Sequence, residues 1–582
     1  MGAESTAQKL VSDLDGDEDT LEQPGAPNEQ LPPPPRSIPG LRLEGKTFTE
    51  FQDFSNVTFT KPVILKNVRF TAGCCFDKAV FLKRVNFSGV QIAGAAGSLT
   101  SFQDCDFQAM ARFDKSTLYL ANFSRSIFRA ASSFRSVRFN ASAKFDDVQF
   151  AGAVGFVDAI FSGSGNFCRG RFEDSADFGR AEFRYWLSHA RFNETQFNGL
   201  AAFNEAQFSG NADFENAQFL GGATFSAARF SERLEDDAGN TQEPSSNPAP
   251  RADLAIRFVK AQFACSEAGE YVSFESAKFG DRNFTRDADF SCAIFLSPKK
   301  AGELVVADFG QLDCSGGLSF RDAEFQAGVA LQLSGAKLER DLDLTGAKIS
   351  SASKFERAQF REGILLSQTV FLEIPDFRQA TFNHRPSLHE AKFPAKPSAS
   401  SREQRQLVLQ CIQTLKRLAE QSDDKRTANE MLVHELKLEG GVASLMYGAI
   451  SNYGRSWLRP ALWLVFLTLT IFPLLHLTLS GRLPGSVDEL RTVAQSLGPA
   501  CVDGKDGNAL AAAMELSVKN AMVVAAENEA RTKRIAECLG AADKAAFQSV
   551  GSAILEAFQF ITSAILVFFI GSSVRRRLQV RA

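Results

Sequence analysis

Phenylalanine falls at positions 214, 219, 225 and 230 in the stretch GNADFENAQFLGGATFSAARF, in steps of five, six and five residues. Neither the 3.6-residue turn of an α-helix nor the two-residue repeat of a strand produces that beat. It runs unbroken through Phe134, Phe139, Phe145, Phe150, Phe156, Phe161, Phe167, Phe172, Phe178 and Phe183. It returns from Phe355 to Phe393, with Leu366 and Leu388 replacing the ring. Ala212, Ala217, Ala223 and Ala228 each stand two residues before a Phe. On an extended segment residues i−2 and i share a face, so Ala and Phe point inward together and the residue between them points out. Asp213, Gln218, Thr224 and Arg229 hold that outward place. Small or polar residues after each Phe suit a turn. Each unit is thus a very short strand and a corner. One unit cannot bury its ring, but coils stacked about 4.8 Å apart can. Each buried ring would contribute roughly 1.5–3 kcal/mol. Phe134, Phe139, Phe145, Phe150, Phe214, Phe219, Phe225 and Phe230 are therefore expected to be core rungs.

Composition agrees. The 54 Phe stand against 5 Tyr and 3 Trp, whereas a binding surface favours the aromatics with polar handles. The repeated units ending in Phe in ADFENAQF (212–219), ASSFRSVRF (131–139) and ADFGRAEF (176–183) resemble the pentapeptide-repeat proteins. The resemblance implies a mainly β fold, a right-handed quadrilateral β-helix with four units per coil, over residues 41–394. This chain departs from a strict five-residue beat, because every second unit carries a sixth residue, read here as a corner bulge or wider turn. A coil then takes about 22 residues, giving about 15 coils and a rod of roughly 70 Å. An acidic, Ser/Pro-rich insertion at 231–252 lacks the beat and reads as a loop between coils, and LSPKKAGEL (296–304) as a shorter excursion.

Residues 1–40 are Pro-rich and read as a disordered tail, without the apolar core of a signal peptide. MGAEST matches the myristoylation pattern, a match short enough to arise by chance. After the repeat, the spacing of Val408, Cys411, Leu415 and Leu418 predicts an amphipathic helix. A second follows, the pair occupying 402–440 and suited to capping the solenoid's end. An α-helical membrane domain with two transmembrane helices is expected beyond. Pro460–Ser480 carries no Asp, Glu, Lys or Arg, and spans are placed at 457–480 and 553–574. Arg455 and Arg459 before the first span, and the basic tail 575–582 after the second, put both flanks in the cytoplasm. The solenoid would then sit on the cytoplasmic side of a bacterial inner membrane, with 481–549 as an extracytoplasmic helical loop. Cys501 and Cys538 are that loop's only cysteines and form a candidate disulfide in an oxidising compartment. The other cysteines lie mostly in the Phe-rich region and read as small hydrophobes.

No catalytic constellation emerges, and no catalytic, cofactor-binding or metal site is assigned. His384 and His389 lack further ligands, and HELKLEG (434–440) lacks the second His of a zinc-protease motif. His476 within a span is either interfacial or a proton or ion site. The last span carries no potassium-channel filter. The near-balanced charge of −4 argues against a nucleic-acid partner and against a gyrase-directed DNA mimic. The reading is a non-enzymatic, membrane-anchored interaction scaffold with lipid and an unknown protein as partners. The alternatives are a homo-oligomeric transport or signalling component, and the DNA mimic.

Overall fold

The computed structural model describes residues 36–92, 99–184, 189–230, 256–265, 271–280, 287–300, 302–395, 401–454, 456–479, 509–521 and 550–581. The chain divides into two compact units, Met1–Thr427 and Ala428–Ala582.

The first unit is a parallel β-solenoid of about 14 turns. Its strands form four sheets of 14, 13, 14 and 13 strands, and each strand pairs with the one four places on, save at the last coil of the third sheet, where the step is three. These sheets are here called faces I to IV, beginning at Arg36–Ile38, Leu41–Glu44, Thr47–Phe48 and Gln52–Asp53. Most strands are two residues long. A strand that short is marginal by itself, so the coil persists only because each side hydrogen-bonds to the coils on either side. Around the coil containing Phe214, its N–H donates to Arg257 O at 2.7 Å, and Phe192 N–H donates to Asp213 O at 2.7 Å.

The interior is built from the rings. Phe134, Phe139, Phe145, Phe150, Phe214, Phe219, Phe225 and Phe230 are all 0% exposed. Phe214, on face IV, stacks between Phe192 and Phe258, with ring centroids at 4.9 and 4.6 Å. Phe225, on face II, stacks between Phe203 and Phe274 at 4.8 and 4.7 Å. These two ladders meet edge to face across the interior, as in Phe214–Phe225 at 5.6 Å and 87°. That arrangement sets the positive ring edge against the negative ring face. Phe219 and Phe230 belong to outer ladders on faces I and III. Between Phe325 and Phe355 the interior turns aliphatic, with Leu331, Leu333, Leu338, Leu342, Leu344 and Ile349 all buried. Cys314 occupies a rung of face III between Phe279 and Leu338.

The five- and six-residue steps correspond to two kinds of corner. At a five-residue step (faces II to III and IV to I) the Phe carbonyl accepts from the N–H three residues on, as in Ala217 N to Phe214 O at 3.0 Å. The residue before that donor has a left-handed backbone, such as Asn216 at φ 57°. At a six-residue step (faces I to II and III to IV) three residues intervene between the Phe and the next inward residue, as in Leu220-Gly221-Gly222. These wider corners stack closely. A Cβ added to Gly221 would lie 2.4 Å from Asn198 O on the preceding coil.

Four of the seven described cysteines of the solenoid fit the hydrophobe reading, since Cys74, Cys105, Cys265 and Cys314 are buried. The reading fails for the others. Cys75 faces outward beside Cys74, Cys168 lies at a corner, and Cys292 is exposed at a left-handed corner position (φ 57°).

The first helix, α1 (Arg402–Gln421), starts at Ser401, whose side chain accepts from Gln404 N. It buries Cys411, Ile412, Leu415, Leu418 and Ala419. The Cys411 thiol hydrogen-bonds the Asp376 carboxylate of the terminal coils and is pushed up to about 12, first by burial and then by that charge. Leu388 and Phe393 of the last coil are 2% and 8% exposed although no coil follows them. A covering helix accounts for this, because a bare end coil would show its inward residues to water. Next come α2 (Lys425–Glu439), α3 (Val442–Ser451), and α4 (Leu458–Phe466) running through a π turn (Leu467–Ile471) into α5 (Phe472–Leu479). The last two are α6 (Ala509–Ala521) and α7 (Val550–Arg581).

Candidate functional site

Two stretches of the second unit are long and apolar enough to cross a membrane, Leu458–Leu479 and Ile554–Arg575, each with mean hydropathy 2.0. Only 28% and 22% of their residues are buried. The outward residues are large and apolar: Leu462 is 59% exposed, Phe558 59% and Phe568 68%. The inward residues include polar ones, Thr468, His476, Gln559, Ser563 and Ser573. This distribution inverts that of a water-soluble bundle, in which the apolar stripe faces inward.

The polar residues converge where the first stretch departs from α-helical geometry. Pro473 has no N–H to give Leu469 O, and its ring crowds that carbonyl. The π turn at 467–471 lies one residue ahead of it, where such a disturbance is absorbed by widening the helix. The widened turn leaves Thr468 O free to accept from Ser517 Oγ at 2.7 Å. Ser517 lies on α6, which packs against the π turn, α5 and α7. Its contact face includes buried Ala512, Ala513 and Leu516, small residues among them letting helices approach closely. Gln559 of α7 donates through Nε2 to Ser517 O at 2.7 Å and to Ser517 Oγ at 2.9 Å. Its Oε1 lies 3.1 Å from His476 Nε2. Because the Gln559 amide N–H groups point to Ser517, its oxygen is the acceptor for histidine. That assigns the proton of a neutral His476 to Nε2 and leaves Nδ1 as an acceptor. Nδ1, Thr468 Oγ1 and Ser563 Oγ are buried without a hydrogen-bond partner. Glu556 stands one turn before Gln559 on α7.

Of these residues the sequence singled out only His476. Gln559 was visible as a polar residue in an apolar run. Ser517 carried no signal, because nothing in the chain's order indicates that α6, within the stretch read as an external loop, packs on the spans. Cys501 and Cys538, and the insertion at 231–252, lie outside the described residues. His384 is exposed, its Nδ1 3.2 Å from Arg361 O, and His389 lies 3.9 Å from Glu390. Among the described residues no group of three or more His, Cys, Asp or Glu could hold a metal ion.

The solenoid's outer surface is the second candidate. Along the corner from face IV to face I, successive coils present Lys78, Asp104, Arg125, Asp147, Arg169 and Glu194 at the left-handed position. Their charges alternate. Arg125 holds both oxygens of Asp104 at 2.7 and 3.0 Å, and Arg169 those of Asp147 at 2.8 and 2.9 Å. Hydrogen bonding from Arg169 keeps the Asp147 carboxyl below its usual range.

Residues 188–234 match the family model described as pentapeptide repeats (nine copies). The coil is a pentapeptide-repeat solenoid. Its matched segment contains the Phe192–Phe214 and Phe203–Phe225 stacks. No curated protein and no solved structure matches the chain. The pentapeptide-repeat solenoid accounts for the rings, the alanines and the corners, so functional specificity rests on its outward residues and on the helices that follow.

Proposed function

We propose that this protein is a non-enzymatic membrane-anchored scaffold, whose pentapeptide-repeat solenoid presents its outer faces to a protein partner at the cytoplasmic side of a bacterial inner membrane. The observation that carries the reading is the outward apolar surface of Leu458–Leu479 and Ile554–Arg575, which water would not tolerate on a protein of this size. The solenoid supports it by offering long rows of outward polar side chains on a rigid frame, the arrangement by which other repeat arrays bind partners. The rows mix signs, with Arg257 following Asp213 and Asp289 following Arg257 on face IV. This suits a protein partner better than a polyanion mimic or a nucleic-acid binder. Affinity purification of the full chain from detergent-solubilised membranes tests the proposal. A stoichiometric cytoplasmic protein is expected, and its loss on washing or its replacement by lipid alone would refute scaffolding.

A second reading, a signalling or transport component, is favoured by the His476–Gln559–Ser517 chain of hydrogen bonds, since buried polar groups between lipid-facing helices are expensive and mark functional sites. Two helices do not enclose a pore, so transport would require a homo-oligomer. Mass determination of the detergent-solubilised particle separates the readings, a ring of four or more subunits favouring transport.

A further inference from the structure

The first four coils carry a strip of positive charge. Arg42, Lys66, Arg84 and Arg112 line a shallow cavity of about 640 Å³ on face II, together with Ile64, Met110 and a single carboxylate, Glu44. Lys61 and Lys83 are exposed on the adjoining corner between faces I and II. Among the described residues only Arg112 of these six cations has a carboxylate partner, Asp114 at 3.3 Å. The strip is confined to this end. From Arg112 the outward row of face II continues through Ser133, Gly155, Asp177 and Ala202, none of them basic.

The chain that enters this end is acidic. Residues 1–35 hold eight carboxylates against Lys9 alone, and six of the eight, Asp13, Asp15, Asp17, Glu18, Asp19 and Glu22, fall within ten residues. We propose that the stretch Asp13–Glu22 docks on the basic strip of face II and covers it against other anionic partners. Thirteen residues separate Glu22 from Arg36, where the first strand begins. A coil of thirteen residues would have a root-mean-square span of about 20 Å, and a fully extended one a limit of about 43 Å. The four coils of the strip span only about 14 Å. The tether therefore reaches the strip, at an effective concentration on the order of millimolar. A separate acidic partner has to compete with that. The attraction is between exposed charges and weakens as salt shortens the screening length.

Zero-length carbodiimide cross-linking of the full chain in detergent at low salt, with peptide mapping, tests this. Links from Asp13–Glu22 to Lys61, Lys66 and Lys83 are expected. They should fall several-fold in about 0.5 M salt and in the Arg42→Glu/Arg84→Glu variant. Absence of these links, or equal yields to Lys278, Lys337 and Lys348 on later coils, overturns the proposal. An equimolar mixture of isotopically light and heavy chains distinguishes copies. Links only between chains overturn the intramolecular assignment in favour of a second copy as the occupant.

Discussion

Phe214 shows what a single rung contributes. It is sealed between Phe192 and Phe258 and meets Phe225 edge-on. Phe214→Ala should therefore destabilise the solenoid by about 3–5 kcal/mol, read as a lower midpoint in thermal unfolding followed by circular dichroism. Phe214→Leu should cost markedly less, because Leu344 and Leu366 fill the same ladder in later coils. Equal losses for both variants would contradict the stacking account. The left-handed corners supply a change of opposite sign. Ala227 holds φ 56° with a side chain that gains nothing there, so Ala227→Gly should stabilise by up to about 1 kcal/mol. Thiols divide by position as well. Iodoacetamide at neutral pH should modify exposed Cys292 and spare Cys314, which burial pushes up to about 12. The inward residues were legible because period and residue type repeat together. Cys292 was not, since a cysteine at a corner and a cysteine on a rung look alike until the corner is identified.

At the scale of elements, the two kinds of corner differ in what they tolerate. Every step from face II to III and from face IV to I is five residues, from Leu43–Phe48 and Phe54–Phe59 to Phe377–Phe382 and Leu388–Phe393. All variation in coil length falls at the other two corners. There Leu118 to Ala121 is one residue short, residues 296–304 lead from face I to II, and 231–255 separate the face III strand at Arg229–Phe230 from the face IV strand at Ile256–Arg257. The tight corner closes with a backbone hydrogen bond and a left-handed residue, so an added residue breaks it. The wide corner has no such closure. Two residues inserted between the exposed Lys299 and Lys300, in a wide corner, should leave the melting midpoint nearly unchanged, whereas the same insertion between Glu215 and Asn216 should lower it by many degrees. The sequence showed the six-residue step and placed it at a corner. That insertions keep to those corners required the register of the sheets. The end cap has a pH signature. Burial opposes ionisation of Asp376, but Arg378, which holds both of its oxygens, and the Cys411 thiol outweigh it and lower that carboxyl below its usual range. A depressed carboxyl stabilises the fold above its unfolded value near 3.9 and loses that contribution as pH falls through the folded value. Hydrogen exchange at 402–421 should therefore accelerate below about pH 4 before the central coils respond, and Asp376→Asn should remove the difference.

At the scale of the whole molecule, the chain joins a solenoid whose side chains turn Phe inward to a helical unit whose apolar residues turn outward. Both the coil and the two apolar stretches were readable, because each rests on a local pattern repeated or sustained. The His476–Gln559–Ser517 network was not, because it joins residues from three helices distant in sequence. The anchored, cytoplasmic placement of the solenoid is the central claim, and Cys292 reports on it from the solenoid's own surface. Spheroplasts expressing the full chain should be treated with a membrane-impermeant maleimide before and after lysis, the membranes washed with alkaline carbonate, and modification at Cys292 followed by mass spectrometry. The account predicts that the protein stays with the washed membranes and that Cys292 is modified only after lysis. Release of the protein by carbonate, or modification of Cys292 in intact spheroplasts, would contradict it.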